Sequence, residues 1–181
     1  SVEGTFADTT NHEKDRAAKY GGTRPPKRGS KFKWHAKGLI INKDLKVVRF
    51  SSENASNQKF AANVIDGNPG TIWHTQFVPA IKKHPHELVI DLGKESIIRG
   101  FRYMSRQDNG WNGALKDVEF SVSDDPEKFG EPVLKATLRK TRSVQDIKCE
   151  PIKGRYVRLR ALSEVNNGPW ASVAEFGVLG K

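Results

Sequence analysis

The chain has 181 residues, enough for one domain with a full hydrophobic core. No stretch approaches the roughly 18 consecutive apolar residues of a membrane-spanning helix, so no membrane span is predicted. The single cysteine, Cys149, excludes an internal disulfide and a zinc site built on several thiolates.

The formal net charge of +10 is unevenly distributed. Residues 1–49 contain 12 Lys and Arg against 5 Asp and Glu, whereas residues 50–181 contain 19 against 16. Because the larger part of the chain is nearly neutral, the charge does not predict a nucleic-acid partner. The basic N-terminal segment is compatible with a sulfated or uronic polysaccharide.

The first 44 residues differ from the rest of the chain. They are polar, lack sustained apolar periodicity, and contain Gly21-Gly22 and Pro25-Pro26, which interrupt helices and strands. We interpret residues 1–44 as an irregular extension, either a linker or the tail of an upstream module, partly docked on a domain that covers residues 45–181.

Short strand-like runs follow one another from Leu45 to the end of the chain, with turns between them. No long helix is indicated, although Phe60–Ile65 is compatible with one helical turn. The pattern predicts an all-β fold, an eight-stranded antiparallel β-sandwich of the jelly-roll type. The runs are Lys46–Phe50, Glu87–Leu92, Ile97–Met104, Val118–Val122, Val133–Leu138, Asp146–Cys149, Tyr156–Leu162 and Val173–Leu179.

The turn formed by residues 66–71 is rich in oxygen ligands. Asp66 offers a carboxylate, Asn68 an amide oxygen and Thr71 a hydroxyl, which are ligand types that calcium prefers. The same residue types are ordinary turn formers, so an Asx turn without metal is the alternative interpretation. Glu175, on the last predicted strand, would add a distant carboxylate if the chain ends meet, and is otherwise a surface charge.

Two polar loops and one histidine carry side chains suited to hydroxyl recognition. The loop over residues 105–113 contains the Arg106 guanidinium, three amide side chains and an indole. Trp170 lies on a second loop, where a flat ring can stack on the apolar face of a sugar. We assign Trp73 to the core, and a lone histidine such as His74 is by itself more often structural than ligand-binding.

No catalytic constellation emerges from the sequence. It contains no Gly-x-Ser-x-Gly, no phosphate-binding loop and no His-Glu-x-x-His motif. The adjacent carboxylates Asp124 and Asp125 precede Pro126 in a predicted turn, where solvation explains them. We therefore predict a protein that is not an enzyme.

Taken together, these segments resemble the discoidin family (coagulation factor 5/8 C-terminal type). They are most similar to the family-32 carbohydrate-binding modules of bacterial glycan-degrading enzymes. The similarity covers nearly all of residues 45–181 in the family's order, and residues 1–44 have no counterpart. The matching segments are residues 63–68, 73–75, 85–93, 102–108, 116–120, 155–164 and 174–176.

This resemblance implies an eight-stranded jelly roll with one structural calcium ion near the point where the chain ends meet. The ligands it implies are the side chains of Asp66, Asn68, Thr71 and Glu175 and backbone carbonyls near Asn63 and Ala174.

The resemblance also implies a sugar site. In galactose-binding members, a histidine and an arginine at the positions of His74 and Arg106 bind the axial O4 hydroxyl. An asparagine six residues after the arginine, here Asn112, adds another hydrogen bond. The implied aromatic platform is formed by Phe77 and Trp170. The chain departs from the pattern at Asn57, where some members carry an acidic sugar contact.

The function implied is that of a non-catalytic module that targets a parent enzyme to galactose-type glycans, meaning galactose, N-acetylgalactosamine or related sugars. The parent would be a secreted, periplasmic or cell-surface bacterial glycoside hydrolase, sulfatase or polysaccharide lyase, and the module is expected to be monomeric. One alternative is a discoidin-type adhesion module that binds a protein or membrane surface. Another is a binder of anionic polysaccharide through the basic N-terminal segment.

Overall fold

The computed structural model of the protein describes residues 33–180. Most of the predicted N-terminal extension, residues 1–32, lies outside the described residues. Within them, the chain forms eight strands and two short 3-10 turns, at Ala55–Asn57 and Ala61–Ile65. The described part contains no helix long and apolar enough to cross a membrane. The strands are β1 (Lys46–Phe50), β2 (Trp73–His74), β3 (His86–Met104), β4 (Asp117–Ser123), β5 (Leu134–Thr137), β6 (Gln145–Ala161), β7 (Ser172–Val173) and β8 (Glu175–Gly180).

Two long strands organise the fold. The main sheet has the order β1-β3-β6-β4-β5, with β8 also paired to β3, and β2 and β7 form a separate two-stranded ribbon. All these strand pairs are antiparallel. The first part of β3 pairs with β1 and with the end of β6, whereas its last part pairs with β8 and with the start of β6. The predicted all-β antiparallel sandwich is confirmed.

The irregularities in β3 explain where it changes partners. The register shifts between Asp91 and Ser96 and again between Ile98 and Gly100. Gly93 (φ 82°) and Gly100 (φ 137°) adopt positive φ in these stretches, a conformation that side chains with a Cβ rarely tolerate. Such bulges bend a strand and increase its twist, so one strand can serve two layers.

The predicted strand boundaries were wrong at these long strands. The two runs Glu87–Leu92 and Ile97–Met104 are one continuous strand, β3, because the polar residues between them form bulges and not a turn. The runs Asp146–Cys149 and Tyr156–Leu162 are likewise joined in β6.

The last predicted strand and one unpredicted strand also differ from expectation. The run Val173–Leu179 is divided into β7 and β8, because Ala174 leaves the ribbon with β2 and the chain then joins β3. Strand β2 was not predicted, since two residues are too few to show an alternating pattern.

Aromatic side chains from three strands fill the core between the layers. Phe101 of β3 stacks on Phe120 of β4 with ring centroids 5.2 Å apart, and Phe176 of β8 lies 5.8 Å from Phe101. Burying each such ring contributes roughly 1.5–3 kcal/mol. The assignment of Trp73 to the core is confirmed, since it is 1% exposed and its Nε1–H donates to the carbonyl of Ser52 at 2.8 Å.

The described end of the predicted extension packs on the sandwich. Trp34 is buried in a cluster with Met104 and Ala174. Leu39 forms an antiparallel bridge with Leu179, and the Ile40 amide donates to the Val178 carbonyl at 2.8 Å. Residues 33–44 are therefore attached to β8, whereas a domain boundary at residue 45 stays a prediction.

Candidate functional site

One cleft brings together all six residues that the sequence marked as candidate sugar contacts. The cleft has a volume of about 220 Å³. One more side chain, that of Lys59, belongs to its lining and was not predicted, because the sequence around it contains no motif. The lining residues are Asn57, Lys59, His74, Phe77, Arg106, Asn112 and Trp170.

The β2–β7 ribbon explains why residues from distant parts of the chain meet here. His74 pairs with Ser172 in the ribbon. Beyond it, the Thr75 amide donates to the Ala171 carbonyl at 2.9 Å, and the Ala171 amide donates to the Thr75 hydroxyl at 3.0 Å. These bonds fix Trp170, the next residue, beside His74, with ring centroids 6.2 Å apart.

His74 is oriented as a neutral hydrogen-bond acceptor. Its Nδ1 lies 2.7 Å from the Thr75 carbonyl oxygen, and since a carbonyl can only accept, Nδ1 carries the proton and Nε2 is an acceptor. The pKa of His74 is lowered to about 4, mainly by burial and also by the positive charges of Arg106 and Lys59. At neutral pH, Nε2 of His74 can therefore accept a hydrogen bond from a hydroxyl group.

Arg106 is held by its own loop. Its Nε and one terminal nitrogen donate to the two carboxylate oxygens of Asp108, each at 2.7 Å, and the other terminal nitrogen donates to the Asn112 carbonyl at 2.9 Å. A guanidinium has five N–H donors, so two remain for a ligand. The flat ion is supported by Gly110, where an added Cβ would lie 3.1 Å from its central carbon.

Asn112 links the two loops of the cleft. Its backbone carbonyl accepts a hydrogen bond from the Ser172 hydroxyl at 2.8 Å as well as from Arg106. Its side-chain oxygen accepts a hydrogen bond from the side-chain nitrogen Nδ2 of Asn166 at 3.2 Å. The remaining side-chain group, Nδ2, is a donor available at the exposed edge of the cleft.

Asn54 positions one wall of the cleft and was missed by sequence reasoning. This residue is buried, and its side-chain oxygen accepts from the amides of Phe77 at 3.1 Å and Val78 at 3.0 Å. Its Nδ2 donates to the side-chain oxygen of Asn57 at 2.9 Å. The Phe77 ring then meets His74 edge-on, with centroids 4.9 Å apart.

Trp111 lies outside the cleft lining. The guanidinium of Arg142 stacks over its ring at 3.5 Å from the centroid, and the Lys140 ammonium lies 5.4 Å away. Arg142 also donates to the Gly110 carbonyl at 3.0 Å. The indole is therefore covered by cations and supports the Arg106 loop, instead of projecting as an apolar tip.

The residues marked as candidate calcium ligands also come together, beside the ribbon. Glu175 is fully buried, and its Oε2 accepts from the Gly67 amide at 3.3 Å. Asp66, 5% exposed, accepts from the Asn68 amide at 2.8 Å and from the Thr71 hydroxyl. Burial raises the pKa of Glu175 well above its usual value, and the neighbouring Asp66 carboxylate raises it further.

The chemistry of this donor set fits a hard cation. Two buried carboxylates next to each other repel unless a proton or a cation lies between them, and Glu175 Oε1 is buried with no hydrogen-bond partner. The Asn63 side chain is directed elsewhere, with its Nδ2 donating to the Ile72 carbonyl at 2.9 Å. The ligands that the resemblance implies near Asn63 and Ala174 are backbone carbonyls. Within residues 33–180, no group of three or more His, Cys, Asp or Glu side chains gathers around a possible metal position.

Comparison with curated proteins gives relatives that are much longer enzymes. The chain is 36% identical over 132 residues to a sialidase of Micromonospora viridifaciens, and 32% identical over 142 residues to a galactose oxidase of Gibberella zeae. The matches cover 72% and 78% of this chain. The chain spans only about a fifth of the length of either relative, 20% and 21%.

Among solved structures, whole carbohydrate-binding modules superpose on the fold. CpGH89CBM32-5 of Clostridium perfringens, in complex with GalNAc-β-1,3-galactose, matches with a TM-score of 0.71 and 29% identity, over 78% of this chain and 99% of that chain. The family 32 module of NanJ from the same organism, in complex with galactose, gives 0.68 and 25%, over 78% and 97%.

A profile of the F5/8 type C domain matches residues 48–176, which include strands β2 to β7 completely and every residue of the cleft. The resemblance noted in the sequence is therefore confirmed, and the chain belongs to the F5/8 type C (discoidin) domain family.

Proposed function

We propose that the protein is a non-catalytic carbohydrate-binding module that recognises galactose-type glycans through the cleft around His74. The observation that carries this proposal is the juxtaposition of the His74 Nε2 acceptor and two remaining Arg106 donors in one cleft. Phe77 and Trp170 contribute aromatic rings to the same cleft. A sugar offers the complement, an apolar face and an edge of directional hydroxyls.

The preference for galactose follows from hydrogen-bond satisfaction. A hydroxyl can donate to His74 and accept from Arg106 at once, which suits an axial O4 lying between them. The equatorial epimer cannot reach both groups, and one buried polar atom then loses its partner. Such a loss costs roughly 1–3 kcal/mol, which corresponds to a preference of about 5- to 150-fold for galactose over glucose.

The small cleft implies weak binding by a single sugar, on the order of micromolar to millimolar. Attachment to a catalytic module would compensate, since tethering raises the effective concentration of substrate. The long enzymes related to this chain support a role as one module of a larger enzyme. We expect that enzyme to be a secreted bacterial enzyme that acts on glycans. We expect the isolated module to be monomeric.

A structural calcium ion is part of this proposal. Asp66, Asn68, Thr71 and Glu175 would hold it with the carbonyls of Asn63 and Ala174, and the ion would neutralise the buried carboxylate pair. Its role would be to stabilise the turn that leads into β2, and hence the position of His74.

Titration of the protein with galactose and glucose by calorimetry tests the proposal. We expect binding of galactose, about tenfold weaker binding of glucose, and loss of at least tenfold in galactose affinity for His74→Ala and Arg106→Ala. Arg99→Ala is the matched control, because Arg99 is exposed on β3 outside the cleft. If neither cleft variant weakens binding of any glycan, the site is wrong.

A second candidate function, adhesion to a membrane or protein surface, is favoured by one observation. Val78 and Ile81, each 52% exposed, follow Phe77 in the loop beside the cleft. Apolar loop tips of this kind are suited to such surfaces. Sedimentation with liposomes separates the two functions, because adhesion predicts that Ile81→Ser abolishes co-sedimentation and leaves galactose binding unchanged.

A further inference from the structure

We propose that the preferred glycan carries an anionic substituent, a sulfate ester or a carboxylate, and that Lys59 receives it. This inference rests on the proposed function, since it names the class of galactoside that the same cleft prefers. It is distinct from polysaccharide binding through the basic N-terminal segment, because Lys59 belongs to the cleft itself.

The cleft lining is the first observation. It contains two cationic side chains, Lys59 and Arg106, and no Asp or Glu. At Asn57, where an acidic side chain would repel an anion, the chain has a neutral amide that Asn54 holds in place at 2.9 Å. His74 adds no negative charge and is neutral at physiological pH, since burial lowers its pKa to about 4.

Asp108 and Glu164 are two acids near this positive charge, and both are engaged by other groups. Asp108 lies close to both cations, and it is one negative charge against two positive ones. Both of its oxygens accept from Arg106, and one also accepts from the Gly110 amide at 3.1 Å. The other nearby acid, Glu164, is fully buried, with its oxygens bonded to the amides of Asn166 at 2.7 Å and Gly168 at 2.6 Å.

The backbone of Lys59 is fixed next to the sugar-reading histidine. Its amide donates to the Asn54 carbonyl at 3.2 Å, and its carbonyl accepts from the His74 amide at 3.2 Å. Lys59 is half-buried and belongs to the cleft lining, so an anion in the cleft would meet it at a partly desolvated surface. In that position an ion pair is stronger than in bulk water.

The opposite rim carries a further cation. The Lys140 ammonium donates to the side-chain oxygen of Asn166 at 3.3 Å, and Asn166 bonds in turn to Asn112 of the cleft. An anionic sugar at the Asn112 edge of the cleft therefore meets a further positive charge. Such a field accelerates association and makes it dependent on ionic strength.

Calorimetric titration with three monosaccharides tests the inference. Galactose supplies the neutral reference, galactose 6-sulfate the sulfate ester, and galacturonic acid the carboxylate. At low ionic strength we expect at least one of the two anions to bind about 3- to 10-fold more tightly than galactose. The comparison between the two anions identifies the substituent. Raising NaCl to 0.5 M should reduce the difference.

Lys59→Gln is the diagnostic variant, and Lys148→Gln is its control with the same change in charge. Lys148 lies on β6 in a different cleft, lined by Lys37, Arg99 and Cys149 among others. We expect Lys59→Gln to remove the preference for the anion, so that the ratio of the Kd for galactose to the Kd for the anion falls to about one. Lys148→Gln should keep the preference.

The outcomes separate this inference from the proposed function. If galactose binds and neither anion binds more tightly, the inference is wrong and the neutral galactose module stands. If the preference survives in Lys59→Gln, Lys59 is not the receptor and the inference is overturned. If neither galactose nor the two anionic sugars bind, the proposed function is wrong and the inference that rests on it is wrong as well.

Discussion

Arg106 and Asp108, two residues apart, form a two-point ion pair in which both carboxylate oxygens accept from the guanidinium at 2.7 Å. The Arg106 side chain is 14% exposed, whereas that of Asp108 is 50% exposed. Asp108 therefore stands between solvent and the guanidinium and fixes the plane in which the two remaining donors lie. A fixed fork is what bidentate recognition of a sugar edge requires.

The first prediction concerns this ion pair. We expect Asp108→Asn to weaken galactose binding about 3- to 10-fold, because Arg106 loses its rigid partner and must be ordered when the sugar binds. Calorimetry with neutral galactose provides the measurement. Asp124→Asn removes one charge from an exposed residue of a distant turn and should leave the Kd unchanged. Equal effects of the two variants would show that only net charge matters.

The second prediction concerns pH and binding. Since burial lowers the pKa of His74 to about 4, its Nε2 acceptor persists throughout the neutral range. Galactose affinity should be constant between pH 7.5 and about pH 5.5 and decline as the pH approaches about 4. A loss centred near pH 6.5, the ordinary value for histidine, would contradict the buried neutral ring.

The same residue predicts a dependence of stability on pH. The folded pKa of His74 is lower than its unfolded pKa, so the unfolded chain binds more protons between these values. The stabilising contribution is complete above about pH 6.5 and is lost as the pH falls towards 4. The pKa of His84 is also lowered to about 4, mainly by burial and also by His86. Its contribution to stability is therefore also lost as the pH falls towards 4. Urea unfolding at several pH values should show a shallower decline for His74→Gln than for the parent chain.

The third prediction concerns Gly113, which joins the Arg106 loop to the ribbon. It has φ +84°, and an added Cβ would lie 2.7 Å from the Ser172 amide nitrogen. We expect Gly113→Ala to lower the free energy of unfolding by about 1–3 kcal/mol and to weaken sugar binding, because Asn112 is displaced. Gly130→Ala is the control, since nothing lies within 4 Å of a Cβ there. Urea denaturation monitored by tryptophan fluorescence measures the stability of both variants, and calorimetric titration with galactose measures their sugar binding.

The fourth prediction concerns calcium. We expect CaCl2 to raise the Tm and EDTA to lower it, because the ion would neutralise the buried Asp66 and Glu175 carboxylates. Glu175→Gln should abolish the response to calcium, whereas Glu150→Gln, at an exposed residue of β6, should retain it. A Tm that is identical in CaCl2 and EDTA would contradict the proposed calcium site.

A site residue can be predicted from the sequence when it lies in a recognisable local segment. It cannot be predicted in this way when only the folded structure brings it to the cleft. His74, Arg106 and Asn112 were predicted because the resemblance to the discoidin family implies sugar contacts at their positions, whereas His74 by itself was more often expected to be structural. Lys59 was not predicted, because it reaches the cleft only through its backbone pairing with Asn54, and no local pattern records that pairing. Asn54 was missed for a similar reason, since its side-chain oxygen accepts from residues more than 20 positions away.

Strand limits were predictable only where a turn residue also ends the strand. Pro151 and Gly154 suggest a break between two strands, yet both lie within β6 (Gln145–Ala161). No pairing with β3 is formed by Pro151, which falls in the irregular stretch between Lys148 and Ile152. A proline lacks an amide donor, so a bulge accommodates it without cost to the ladder. The sequence signals of a bulge and of a turn are the same.

The attachment of residues 38–40 to β8 also determines how the module responds to tension. Leu39 and Leu179 are antiparallel neighbours, with the Gly180 amide bonded to the Gly38 carbonyl at 2.7 Å and the Ile40 amide to Val178. A force that separates residues 38 and 180 loads these hydrogen bonds one after another instead of all at once. The segment of residues 38–40 should therefore detach from β8 at low force, because its hydrogen bonds break in sequence. The chain before β1 would then extend by several residues. The sandwich and its cleft would stay folded while this segment extends.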